Sequence, residues 1–288
     1  MKELIVISGK GGTGKTSIMA AFSSLAENKV LCDADVDAAD LHLIMNPKVM
    51  RRTDFQSGNT AAINNDLCTE CGLCREMCRW DAISAVYEVN SIDCEGCAVC
   101  VHFCPEKAID FPENTCGEWF ISETRLGPMV HARLGIAEEN SGKLVSLVRQ
   151  EARKLAESRK LDLILTDGPP GVGCPVIASI GGASAVLIVT EPTVSGQHDM
   201  ERVAQLAAHF KIPAMICVNK YDLNLELTRE IEGFAKGRGL PFVGRIPFDP
   251  IFTRAMVKGQ TIFEYNTNSE AGASVKQIWQ GLSEKLDL

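Results

Sequence analysis

Apolar residues along the chain come in short dense runs, separated by longer segments in which they return every three or four positions. The runs Leu4–Ser8, Val30–Cys32, Leu161–Thr166, Ala185–Thr190, Ala214–Val218 and Phe242–Ile246 are predominantly apolar. Near-continuous rather than alternating runs predict strands buried on both faces. Lys15–Glu27, Gly142–Arg159, Gln197–Phe210 and Leu225–Lys236 carry the helical period. Strands alternating with helices predict an α/β fold, a mostly parallel sheet with helices on both faces. Asn46–Ala62 has neither period and reads as a linker, while Trp119–Ile121 and Met129–Ala132, either side of Gly127-Pro128, predict a hairpin.

Between residues 61 and 113 the pattern changes. Cys68, Cys71, Cys74 and Cys78 recur 26 residues later as Cys94, Cys97, Cys100 and Cys104, and Ala82-Ile83 recurs as Ala108-Ile109. This segment holds ten acidic and three basic residues, leaving 27 acidic and 26 basic residues for the rest of the chain. The expected organisation is therefore a discontinuous domain, residues 1–60 and 114–288, with an inserted acidic α+β module at 61–113. A net charge of −8 disfavours nucleic acid as a partner. No stretch approaches the roughly 20 apolar residues of a membrane helix, so no stable membrane anchor is expected. Met1–Ser8 is too short for a signal peptide, which gives a cytoplasmic expectation. In a reducing compartment, cysteines clustered this closely favour metal over disulfides.

Gly9-Lys10-Gly11-Gly12-Thr13-Gly14-Lys15-Thr16, followed by Ser17, meets the phosphate-loop pattern between a strand and a helix. Its glycines let successive backbone N–H groups curl around phosphate oxygens. The helix that follows directs its positive end at the same anion. Lys15 is placed to reach the β- and γ-phosphates and Thr16 to ligate Mg²⁺, which makes ATP the expected ligand. Asp33 and Asp167 each close an apolar strand, where a carboxylate is costly unless it meets a cation or donors.

The second lysine of the loop, Lys10, resembles the deviant Walker A signature of the MinD/ParA/Mrp superfamily. That resemblance implies an ATPase whose two subunits sandwich ATP, with Lys10 reaching the partner's nucleotide. It further implies Asp33 on a Mg²⁺-bound water, Asp35 orienting the attacking water, and Asp167 reaching Mg²⁺ through one of the metal's own ligands. Gly171 then senses the γ-phosphate, Asn219 reads adenine, and Pro247 lies in the loop closing over the base. The catalytic set it implies is Lys10, Lys15 and Asp35. Pairing is expected as an ATP-dependent homodimer or as a heterodimer with a related ATPase.

Both cysteine runs match the bacterial ferredoxin spacing, in which the fourth cysteine of each run serves the other cluster. One [4Fe–4S] cluster is thus expected on Cys68, Cys71, Cys74 and Cys104, the other on Cys94, Cys97, Cys100 and Cys78. Paired zinc sites are the competing reading, but four-cysteine zinc sites usually come as two separated pairs. Arg79 stands where relatives often place proline. The full chain resembles MinD-superfamily ATPases with an inserted ferredoxin domain, and Asp33–Ala38 and Thr190–Gly196 look characteristic of that subgroup. Cys174 lies seven residues beyond Asp167, the interval of a cluster ligand in the nitrogenase iron protein, a distant relative, and is a candidate transient ligand. Glu123–Lys143 has no role from first principles. Three functions are expected to compete: ATP-gated electron transfer, cluster handling, and MinD-like positioning with redox-sensing clusters. For the first two, a redox or iron–sulfur partner with a basic docking surface is implied.

Overall fold

A computed structural model describes residues 1–135 and 141–288. Its strands are β1 (Lys2–Ser8), β2 (Lys29–Asp33), β3 (Lys48–Asn59), β4 (Ala62–Ile63), β5 (Ile109–Asp110), β6 (Glu113–Thr124), β7 (Gly127–Leu134), β8 (Leu163–Pro170), β9 (Ala185–Thr190), β10 (Ala214–Asn219) and β11 (Phe242–Ile246). Helices α1 (Lys15–Leu25), α2 (Leu41–Met45), α3 (Leu73–Met77), α4 (Val99–Phe103) and α5 (Ser141–Arg159) are followed by α6 (Cys174–Ile180) and α7 (Val194–His209). The last four are α8 (Leu225–Gly237), α9 (Ile251–Val257), α10 (Ile262–Tyr265) and α11 (Glu270–Leu286). The described chain divides into two compact units: residues 1–53, 119–133 and 141–288, and residues 54–118 with 134–135.

The first unit is built on a sheet in the order β11-β10-β9-β1-β8-β2-β7-β6-β3. Strand pairs from β11 through β7 run parallel. Successive side chains of a strand point to opposite faces, and here both faces are covered. Leu4 and Val6 of β1 enter one core with Phe22 of α1 and Trp279 of α11. Ile5 and Ile7 enter a second core with Val176 of α6, Met200 of α7 and Ile231 of α8. The same split separates Leu187 and Val189 from Val186 and Ile188 in β9. This is why the strands read as near-continuous apolar runs.

Two expectations are corrected. Asn46–Ala62 contains no linker but a 12-residue strand, β3, at the sheet edge. Its first five residues are exposed, and only Phe55 and Ser57 are buried, so it carries no periodic signal. The hairpin exists, but it turns at Arg125-Leu126 rather than at Gly127-Pro128, which opens β7. Arg125 is fixed there by Glu264, at 2.5 and 2.8 Å, and by the carbonyls of Ile44, Met45 and Gly259. Those partners are remote in sequence, so local turn chemistry could not reveal the site. In addition, β8 runs on to Pro170, past the expected Thr166. Of the Glu123–Lys143 stretch, residues 136–140 lie outside the described residues.

The second unit contains two short helices, α3 and α4, and the antiparallel pair β4–β5. The repeated dipeptides Ala82-Ile83 and Ala108-Ile109 are buried alike.

On β7, the buried His131 receives or donates a 2.9 Å hydrogen bond with Ser122 Oγ and stacks on Phe120 at 4.9 Å. Burial, and secondarily His42, lowers its pKa from 6.5 to about 4. Unfolded His131 therefore binds a proton below about pH 6.5 that the folded form refuses until about pH 4. Stability should fall as pH drops through that window, by up to about 3 kcal/mol from this residue. Urea denaturation between pH 4 and 7 measures the slope, and His131→Gln should flatten it.

Candidate functional site

Asp33 and Asp167 are register partners on the adjacent parallel strands β2 and β8, so their carboxylates leave the sheet side by side. Both are fully buried. Asp33 accepts backbone N–H bonds from Asp35 at 3.2 Å and Leu41 at 3.3 Å. Burial, reinforced by Asp167, nevertheless pushes its pKa well above the usual carboxylate range. The compensating charge is Lys15, the first residue of α1. Its ammonium lies 2.8 Å from Asp167 Oδ1 and 3.0 Å from Asp35 Oδ2. Burial opposes that charge, but the two carboxylates outweigh it and hold the Lys15 pKa above its ordinary value.

The phosphate loop stands over this cluster. Gly14 adopts φ 87°, and a Cβ there would collide with the Asn219 amide, so glycine is required on both counts. Asn219, at the end of β10, donates from Nδ2 to Thr13 O at 2.7 Å and accepts at Oδ1 from Lys220 N–H at 3.0 Å. The expected base reader is thus engaged in bracing the loop. Gly171 likewise donates its N–H to Ser8 O at 2.9 Å. A cavity of about 360 Å³ opens above the loop, lined by Gly11–Ser17 and Asp35, with Asn219, Pro247 and Phe248 also in its wall.

Among the described residues, Asp167 Oδ2 and Thr13 Oγ1 are buried without a hydrogen-bond partner. No group of three or more His, Cys, Asp or Glu side chains forms a ready metal site among them. The carboxylates of Asp33 and Asp167, with one Asp167 oxygen orphaned, and the Thr16 hydroxyl on the cavity wall are oxygen donors of the hard kind that suits Mg²⁺.

The contacts of Lys10 were not readable in the sequence. Its ammonium lies 2.6 Å from Glu191 Oε1 and within 3.2 Å of the Thr193 and Ser195 hydroxyls. Lys220 meets the other Glu191 oxygen at 3.1 Å. Thr190–Gly196 stands out as a sequence segment, yet nothing local shows that it receives a lysine from over 180 residues away.

In the second unit the cysteines line two separate cavities. Cys68, Cys71, Cys74 and Cys104 share one with Tyr87 and Pro105. Cys78, Cys94, Cys97 and Cys100 share the other with Trp80, which is 53% exposed. Each cavity thus takes three cysteines from one repeat and its fourth from the other. Where Pro105 follows Cys104 in the first, Arg79-Trp80 follows Cys78 near the second. Burial raises the thiol pKa of Cys74, as it does that of Cys100. None of the twelve cysteines forms a disulfide, and Cys174 is exposed at the start of α6. Cys32, Cys116 and Cys217 are buried.

A glycine loop between a buried strand and a helix, set over strand-end carboxylates, defines a P-loop nucleotide-binding protein. Residues 4–262 match the model of the CobQ/CobB/MinD/ParA nucleotide-binding domain, and the chain belongs to that family. An uncharacterised protein of Methanocaldococcus jannaschii is 32% identical over 288 residues, covering 98% of this chain and 96% of its own. An uncharacterised ATP-binding protein of the same organism is 20% identical, over 96% of this chain and 85% of its own. Among solved structures, the septum site-determining protein MinD of Pyrococcus horikoshii, complexed with Mg-ADP, superposes with a TM-score of 0.60 at 16% identity. That match covers 99% of this chain and 96% of the other. A chain of the MinC:MinD cell division protein complex of Aquifex aeolicus gives 0.58 at 18% identity, over 99% and 96%. At such identities the likeness is one of fold.

Because Lys15 is the buried cation among these carboxylates, Lys15→Ala should strongly weaken nucleotide binding. Titration with a fluorescent ATP analogue should show affinity reduced by about 100-fold or more, the equivalent of roughly two charge-assisted contacts.

Proposed function

We propose that this protein is an ATP-hydrolysing iron–sulfur protein of the MinD/Mrp type, a dimer gated by nucleotide that couples ATP to electron transfer through two [4Fe–4S] clusters or to cluster handling. The observation that carries the reading is the crosswise sorting of eight cysteines into two four-cysteine cavities. A cubic cluster is held at its corners, so its thiolates must surround a space rather than converge on one point. Four soft thiolates around each cavity suit iron–sulfur centres. Cys68, Cys71, Cys74 and Cys104 would hold one cluster, and Cys94, Cys97, Cys100 and Cys78 the other. When bound, the clusters supply one-electron chemistry. The acidic surface of that segment, ten carboxylates against three basic groups, suits a partner with a basic docking face.

At the nucleotide site, Lys15 would leave Asp35 and Asp167 for the β- and γ-phosphates. Thr16, Asp33 and Asp167 would hold Mg²⁺ directly or through water, and Asp35, freed from Lys15, would orient the attacking water. Lys10 would reach the nucleotide of a second copy, neutralising charge that develops during phosphoryl transfer. Asn219 and Pro247 would flank the base, and Gly171 would follow the γ-phosphate once its bond to Ser8 is released. The Mg-ADP named with the Pyrococcus structure and the ATP-binding label of one relative support this reading.

A second reading, a MinD-like positioning ATPase with redox-sensing clusters, is favoured by the fold of the solved neighbours. It is weakened by α11, whose apolar face, Val275, Ile278, Trp279 and Leu282, is packed into the core and not free to lie on a membrane. No helix among the described residues is long and apolar enough to cross one.

Anaerobic reconstitution should load about eight irons per chain, four per cluster. Cys78→Ser should lower this to about four, as should Cys68→Ser, while Cys174→Ala keeps the full complement. Iron analysis beside paramagnetic resonance of the reduced protein decides it, and unchanged iron in both serine variants would remove the two-cluster reading. Redox titration with and without Mg-ATP then separates the two functions. A shifted midpoint potential supports gated electron transfer, and unshifted potentials favour cluster handling or positioning.

A further inference from the structure

The Thr190–Gly196 segment forms a second charged cluster beside the phosphate loop. Glu191, just past β9, uses its two oxygens on two different lysines. Oε1 meets Lys10 at 2.6 Å, and Oε2 meets Lys220 at 3.1 Å. Lys220 in turn donates to Gly12 O at 3.0 Å, so the bridge is strapped to the loop that is to receive phosphate. Lys10 is further held by Thr193 Oγ1 and Ser195 Oγ, each at 3.2 Å. Thr193 is itself fixed, because it caps α7 by accepting the Gly196 N–H at 3.0 Å. The start of the loop backs closely on α7, where a Cβ on Gly9 would strike Asp199.

We propose that Glu191 is a positioning residue that holds Lys10 on its own chain, and that breaking this hold sets the threshold by which two copies pair on ATP rather than on ADP. The proposal rests on the reading of Lys10 as a residue that acts on the nucleotide of a second copy. Lys10 cannot serve the partner's nucleotide while its ammonium is spent on Glu191, Thr193 and Ser195. Release exchanges one carboxylate and two hydroxyls for phosphate oxygens. ATP offers more negative charge than ADP, and the attraction scales with that charge, so the exchange is balanced towards ATP.

Lys220 makes the device reversible. After Lys10 leaves, Glu191 keeps one cation and its place on the loop, so no half-buried carboxylate is stranded without a partner. Burial alone would raise the pKa of Glu191, but the hydrogen bonds from Lys10 and Lys220 hold it below the usual carboxylate range. Exposed ion pairs contribute little. This one is charge-assisted and mostly shielded, with side-chain exposures of 30% for Lys10 and 16% for Glu191.

The full-length, anaerobically purified chain tests this by sedimentation velocity with Mg-ADP and with the non-hydrolysable β,γ-imido analogue of ATP. For the parent, pairing should be strong with the analogue and weak with ADP. Glu191→Gln should erase at least about 10-fold of that preference by strengthening pairing on ADP, a coupling within the usual allosteric range. Lys220→Ala should act in the opposite sense, because it leaves Glu191 wholly to Lys10. In a Lys10→Ala background, Glu191→Gln should have no further effect on pairing. A brace that merely stabilises the fold would instead change thermal unfolding and act equally in both backgrounds, which overturns the proposal. So would an analogue-to-ADP preference within twofold of the parent in a folded Glu191→Gln variant, with Glu191→Asp as a milder check. If Lys10→Ala alone pairs like the parent, the reading of Lys10 fails and takes the proposal with it. If Lys10→Ala abolishes pairing while Glu191→Gln is silent, only the proposal fails.

Discussion

The first unit depends on one ammonium group. Asp33, Asp35 and Asp167 gather at the carboxyl ends of two neighbouring strands, in a place too dry for three anions. Lys15 lies between two of them at 2.8 and 3.0 Å, and it is the first residue of the helix that the glycine loop launches. The loop, helix α1 and the ends of β2 and β8 are thereby held to one geometry. The arrangement is also poised, because a phosphate chain that drew the lysine away would leave the carboxylates in want of a cation. A divalent metal arriving with the nucleotide would fill that want, with Asp167 Oδ2 already unpartnered.

Around this point the loop is held by contacts that a bound nucleotide would contest. Asn219 supports Thr13, Gly171 bonds to Ser8, and Lys220 supports Gly12. Each is a modest bond, of order 1 kcal/mol net. Together they preserve the curve of a glycine-rich segment that has little conformational preference of its own. The described state is therefore one in which the groups expected to recognise ligand recognise the chain itself.

Much of the fold was legible in the sequence, for an identifiable reason. Residues such as Leu4 and Ile5 enter different cores, so the central strands carry apolar residues on both faces and stand out as runs. The edge strand β3 was invisible because Lys48 to Arg52 face solvent and the buried alternation is confined to Phe55 and Ser57. The turn at Arg125 was misplaced because its partners are carbonyls of α2 and the glutamate of α10. At the site, the loop, the strand-end carboxylates and the two cysteine runs were readable from spacing alone. Glu191, Thr193, Ser195 and Lys220 were not assigned roles, because no short motif encodes a lysine bridged to a distant carboxylate. The place of Asn219 at a strand end suggests a base reader, whereas its hydrogen bonds are to the loop and to Lys220.

The crosswise sharing of cysteines has a consequence for how such a module can change over time. A duplicated unit usually leaves each copy free to drift, be lost or be borrowed singly. Here the fourth wall of each cavity is supplied by the other copy, Cys104 to the first and Cys78 to the second. Neither copy owns a complete cavity, so deleting either would open both. The two halves are interlocked in space, so each cavity stands or falls with both.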